Sequence, residues 1–263
     1  MPAPRYATNS ELYADPDLAE GRDYARRHRR HERFDDSLSR TGEVPRTVII
    51  APHGGGIERG TSELCLAVAG YHPAMLPELP PAAVTYDYWM FEGVRDDDNR
   101  FLHVPSIGCD DGMAVLLCAG ALNALSLHGF EPDDPPDDKV VLVGGLNDVL
   151  RHLLVDGFEP TSIRAVDAGS TGNDEFDGND PRNIVNRTLT GTGAQLELSE
   201  PLRNTMFTTN TRPRRKHTTT EVFWTFVAAC RDALDRFEAE PEIASPDLRF
   251  TLIQGDPCPP GGG

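Results

Sequence analysis

The run Arg46-Thr-Val-Ile-Ile-Ala51 leads directly into Pro52-His-Gly-Gly-Gly-Ile-Glu58. A continuous β-branched run has no polar side to offer water, so it reads as a strand buried on both faces. Such a strand needs helices above and below its sheet, and the rest of the chain supplies them. Further strands read at 85–92, 101–105, 124–128, 140–143, 162–166 and 194–198. Helices read from about 61, where Thr61 or Ser62 can cap Glu63 to Ala69, and at 112–122, 147–156 and 220–238. Strands alternating with helices predict an α/β protein, a three-layer mixed β-sheet flanked by helices.

The chain divides into a polar N-terminal extension over 1–44, a single α/β domain over 45–240 and a C-terminal extension over 241–263 that ends in a disordered tail. In the first part, Arg26, Arg27, Arg29 and Arg30 interleave with His28 and His31. They read as a solvated helix face paired with nearby acids, with a basic docking patch as the alternative. The loops at 131–138 and 172–180 are acidic and rich in turn residues.

Acidic residues number 42 against 25 basic ones, a net charge of -17. Lysine occurs only at positions 139 and 216; every other basic residue is arginine. That surface repels phosphate backbones, which argues against nucleic acid as a partner, and it suits a salt-loving host where self-repulsion is screened. No apolar run is long enough to span a membrane, and Met1 to Asp15 has no apolar core of a secretory signal. Five cysteines without a CxxC pair fit a reducing cytosol. The expectation is a cytoplasmic protein, released by lysis if at all, with a monomer as the default.

Four segments carry groups suited to chemistry. His53 and Glu58 flank glycines at a strand's carboxyl end, where open α/β sheets place their sites, and both side chains can turn back onto one ion. A plain glycine turn or an anion nest of backbone N–H groups is the competing reading. Ala124-Leu-Ser-Leu-His128-Gly129 repeats the pattern, so two strands could bring two imidazoles to one edge. Two histidines, one carboxylate and an open position match a hydrolytic zinc site. In the strand around Gln195 and Glu197, alternation sets both residues on one face, opposite Leu196 and Leu198. Beside a cation, Glu197 could take a proton from water and return it to a leaving amine; otherwise it is an edge residue facing solvent. Asn183, Asn186, Arg187 and Arg203 are candidates for gripping a substrate carboxylate, or else surface partners of the many acids. His103 reads as a packed strand residue, with an orienting role as the alternative. Arg212, Arg214, Arg215 and Lys216 with His217 form a basic island that collects a polyanion or balances charge on a loop.

With these segments in view, the chain resembles the poly-γ-glutamate hydrolases of bacteriophage type, also labelled phage-related replication proteins. The resemblance rests on His53-Gly-Gly-Gly-Ile-Glu58 with Gly60-Thr-Ser-Glu63, Leu102-His-Val-Pro-Ser106, Ser126-Leu-His-Gly129, Val143-Gly-Gly-Leu146, Asn183-Ile-Val-Asn-Arg187 and Gln195-Leu-Glu-Leu-Ser199 with Arg203, in the same order over about Asp15 to Glu238. It implies a zinc carboxypeptidase-like fold and a zinc-dependent hydrolase that cuts γ-glutamyl amide bonds of an anionic polymer. Carried over, the zinc ligands are His53, Glu58 and His128, the general base is Glu197, and the substrate carboxylate falls to Arg187, Asn186 and Arg203. The competing activities are a zinc deacylase of small N-acyl amino acids, which carry one carboxylate beside the amide, and a non-catalytic anion-binding module.

Overall fold

A computed structural model describes residues 4–31, 46–75, 84–133, 135–171 and 176–239. The strands are β1 (Tyr24–Arg29), β2 (Thr47–Gly55), β3 (Asp87–Gly93), β4 (Asn123–Phe130), β5 (Val140–Gly144), β6 (Arg164–Asp167) and β7 (Ala194–Ser199). The helices are α1 (Asn9–Ala14), α2 (Thr61–Val68), α3 (Gly112–Ala119), α4 (Asp148–Phe158), α5 (Glu200–Thr205), α6 (Arg212–Arg215) and α7 (Glu221–Ala239). One 7-stranded sheet runs in the order β1-β3-β2-β4-β7-β5-β6. The central strands β3, β2, β4 and β7 are mutually parallel, while β1 against β3 and β5 against β7 are antiparallel.

Side-chain alternation splits the core in two. Ile49, Leu125, Leu127, Leu196 and Leu198 pack with α2, α4 and α7 on one face. Val48, Ile50, Trp89, Phe91 and Ala124 pack with α1 and α3 on the other. This is the expected three-layer mixed architecture, with the sheet buried on both faces.

Three expectations are corrected. The Arg26–Arg30 stretch is not a helix face: Tyr24–Arg29 forms edge strand β1, so the sheet begins upstream of the boundary expected at 45. Its arginines do meet acids, Arg26 at Glu20 and Asp111 and Arg27 at Glu92, and a charged edge also discourages pairing with foreign strands. Residues 101–105 form no strand. Asp98, in left-handed backbone at φ 52, starts a 3-10 turn over Asn99–Leu102, and Pro105, which lacks an N–H for a ladder, follows. Neither Thr61 nor Ser62 caps α2, whose N-cap is Gly60; the Ser62 hydroxyl accepts the Gly55 N–H instead. The tail at 241–263 and Cys258 lie outside the described residues, as do parts of the acidic loops. The other cysteines, Cys65, Cys109, Cys118 and Cys230, are free and buried. Among the described residues, no helix is long and apolar enough to cross a membrane.

Candidate metal centre

Parity alone would place His53 on the wrong side of the sheet. Along β2, Ile49 and Ala51 face one core and Val48 and Ile50 the other, so an unbroken strand would send His53 after Ile49 and Ala51. His128 and Glu197 face the opposite way, since Leu127, Leu196 and Leu198 occupy the first core. The conflict is removed by a bulge. Ala51 pairs with Met90 and Gly54 with Glu92, one more residue on β2 than on β3. Pro52 sits within it, where a residue without an N–H is tolerated. The extra residue turns the His53 imidazole onto the face that carries His128.

Each imidazole is held by its Nε2. That of His53 lies 2.7 Å from the Val104 carbonyl oxygen, which can only accept, so Nε2 carries a proton and Nδ1 is the nitrogen that faces Glu58 and can bind a metal once deprotonated. His128 Nε2 lies 2.7 Å from Ser126 Oγ and 3.5 Å from Ser106 Oγ. The two Nδ1 atoms face each other at 3.1 Å. Glu58 closes the group, with Oε1 2.8 Å from His53 Nδ1 and Oε2 3.7 Å from His128 Nδ1. Gly129 N–H donates to Glu58 Oε2 at 2.8 Å.

Two buried imidazole Nδ1 atoms and a carboxylate meet at one point, an arrangement that a shared proton or a cation satisfies. Ligand atoms around tetrahedral zinc, with bonds of about 2.0–2.1 Å, stand about 3.3 Å apart, and the observed separations bracket that value. Burial alone would lower the His53 pKa, but the adjoining Glu58 carboxylate overrides it and raises it. Burial would likewise raise Glu58, which His53 instead holds below the usual carboxylate range. Burial, joined by His53, pushes His128 down to about 3. The cluster therefore holds one positive charge readily and resists a second.

His103, expected to be a packed strand residue, belongs to the site. Its ring stacks on His53 with centroids 3.9 Å apart and planes 30° apart, and its Nε2 lies 3.7 Å from Glu58 Oε1. His53, Glu58 and His103 also form a group able to hold a metal. Stacked rings, however, direct their in-plane lone pairs alongside one another rather than at a common point. His128 meets His53 at 62°, an angle that lets their Nδ1 atoms converge beside Glu58. His103 is held at about 4 by the nearby His53 and by burial.

Register sets Glu197 directly beside His128 on the neighbouring strand. Gln195 Nε2 donates to Glu197 Oε1 at 3.4 Å, and Asn183 Nδ2 donates to Gln195 Oε1 at 2.9 Å, so a chain of amides runs up to the carboxylate. Asn183 thus braces the site from behind. Asn186, 2% exposed, is fully engaged with backbone: its amide donates to the Gly178 and Asp180 carbonyls, and its oxygen accepts from Leu146 and Gly193. Arg203, 4% exposed, donates to the Leu198, Arg59 and Phe130 carbonyls and lies against Gly129. Backbone oxygens already occupy the Asn186 amide and the Arg203 guanidinium, and Asn183 is taken up by Gln195 Oε1 and the Val185 N–H, so these three side chains brace the site rather than stand open as grips. Arg187 is half-buried, with one N–H on the Cys109 carbonyl. An anion nest is excluded at the glycine loop. The N–H groups of Gly55, Gly56, Ile57 and Glu58 are bound by Ser62 Oγ and the Gly93, Gly54 and His53 carbonyls.

His103 and Ser126 are the site residues least visible in the sequence. Ser126 stands two positions before His128, and the period of two along a strand is the signal that would have found it.

A three-layer sheet that gathers imidazoles and carboxylates at its strand ends defines the class of α/β enzymes working at a sheet edge. The chain belongs to the poly-gamma-glutamate hydrolase family, whose sequence model matches residues 23–229. It is 32% identical over 187 residues to the SPbeta prophage-derived protein YoqZ of Bacillus subtilis (strain 168), covering 70% of this chain and 60% of YoqZ. It is 28% identical to YmaC of the same organism, covering 73% of each. Among solved structures, a bacteriophage poly-gamma-glutamate hydrolase matches with a TM-score of 0.72 at 29% identity, over 89% of this chain and 98% of that one. YndL in a zinc-free apo form matches with a TM-score of 0.69 at 26% identity, over 89% and 99%.

Proposed function

We propose that this protein is a zinc-dependent hydrolase of γ-glutamyl amide bonds in poly-γ-glutamate, with His53, Glu58 and His128 as the metal ligands and Glu197 as the general base. The observation that carries the metal is the pair of imidazole Nδ1 atoms 3.1 Å apart beside one carboxylate. The substrate rests on the family and on the bacteriophage enzyme it resembles.

Zinc held there supplies a polarising charge for the scissile carbonyl and lowers the pKa of water to about 7. The chain's own groups do the rest. Glu197 takes the proton that the attacking water loses and passes it to the departing amine nitrogen. Gln195, bound in turn by Asn183, fixes where the Glu197 carboxylate points. His103, neutral at pH 7 and partly open to solvent, offers its ring N–H to the substrate. Arg187 holds a substrate carboxylate, which presets the amide for attack.

Glu197→Gln tests the base. The variant should keep stoichiometric zinc and lose about 10²–10⁴-fold in kcat on poly-γ-glutamate. Undiminished hydrolysis would remove Glu197 from the role. A preference for single N-acyl amino acids over the polymer would favour the deacylase reading.

A further inference from the structure

In so acidic a chain most arginines answer to a carboxylate or to backbone oxygens, as Arg26, Arg151 and Arg203 do. One segment departs from this. An antiparallel bridge between Phe207 and Thr219 closes a loop whose tip is α6. Arg212, Arg214 and Lys216 are exposed there. Among the described residues, no carboxylate lies within ion-pair distance of them. Arg215 alone turns inward, at 1% exposure. It donates to the Gly55 carbonyl at 2.9 Å, and its Nε lies 3.1 Å from Glu63 Oε2. Gly55 is part of the loop between His53 and Glu58, and the base of the segment is pressed against the same turn, where Phe207 packs on Gly60. Three cations are thus carried on a short helix and its C-cap, pinned to the metal loop by Arg215, and no carboxylate of the described residues pairs with them.

We propose that Arg212, Arg214 and Lys216 form a landing surface for a polycarboxylate, gripping the strand of substrate that runs beyond the scissile bond. The identity of the polymer rests on the hydrolase reading above. A γ-linked glutamate chain carries a free carboxylate on every residue, and guanidinium forks suit carboxylates. Nucleic acid is a polyanion that the net charge of -17 opposes no less than it opposes this polymer, and it has no place in the hydrolase reading on which the choice of polymer rests.

The test compares the protein with an Arg212→Gln/Arg214→Gln/Lys216→Gln variant, which leaves Arg215 and the metal loop intact. With metal chelated, binding of fluorescent poly-γ-glutamate should weaken about tenfold, the sum expected of three exposed charge pairs, and its salt dependence should flatten. With zinc present, KM for the long polymer should rise while turnover of a γ-glutamyl dipeptide stays unchanged. Equal polymer binding by both proteins would overturn the landing surface. So would tighter binding of single-stranded DNA than of the polymer. Weakened binding in a protein that hydrolyses no γ-glutamyl bond would retain the surface and refute the hydrolase reading instead.

Discussion

Ser126→Ala should weaken zinc binding without touching a ligand. The Ser126 hydroxyl is fully buried and lies 2.7 Å from His128 Nε2, the ring nitrogen that faces away from the metal position. Removing it frees the imidazole to rotate and leaves a buried N–H with Ser106 Oγ, at 3.5 Å, as the nearest substitute. Losing the partner that orients a metal-bound histidine costs about 10–100-fold in affinity. The same figure follows from the roughly 1–3 kcal/mol cost of a buried donor left unsatisfied. Because Ser106 can move in, the single variant should sit near the lower limit, about tenfold, and Ser106→Ala/Ser126→Ala should approach about a hundredfold. Competition against a chromophoric chelator at fixed pH measures the affinity, and circular dichroism verifies the fold. Unchanged zinc affinity in the double variant would show that His128 does not bind metal through Nδ1.

Other perturbations test the remaining parts of the site. Arg203→Met should lower stability by about 3 kcal/mol, because three backbone carbonyls lose a charged donor; an unchanged urea midpoint with a raised KM would restore Arg203 as a substrate grip. Gly129→Ala would bring a Cβ to 2.5 Å from the Arg203 guanidinium, and thermal unfolding should show a loss of about 1–3 kcal/mol. The metal-free protein should lose stability as pH falls. His128 has a pKa of about 3 in the fold and about 6.5 unfolded, so between those values the unfolded chain takes up a proton that the fold refuses. His53, whose pKa is raised, acts in the opposite sense and stabilises fully below about pH 6.5, so the decline reports His128 together with His103, which the fold holds at about 4. A Tm that is flat or rising from pH 6.5 to pH 4 in the chelated protein would contradict this.

The strands built from β-branched runs were legible because burial on both faces leaves little freedom in what such a run can be. The order His53, Glu58, His128, Glu197 was legible because each lies at or beside the carboxyl end of such a run. What placed His53 on the same face as His128 was not. An alternation count through Pro52 sends that imidazole to the wrong core, and one extra residue against β3 corrects it. Strand β1 was hidden because its arginines suggest solvent, whereas here they line an edge and reach Glu20, Asp111 and Glu92. Arg203 was misread for a related reason. Its partners are backbone oxygens, which every residue has, so nothing in the sequence singles them out.

The central claim is that the bulge-turned His53 and the distant His128 hold one ion together with Glu58. Anomalous scattering from zinc-soaked crystals, recorded on either side of the zinc edge, measures this directly. The account requires a single peak about 2.0–2.2 Å from both Nδ1 atoms and a Glu58 oxygen. A peak ligated by His103 in place of His128, or no peak at a saturating zinc concentration, would contradict it.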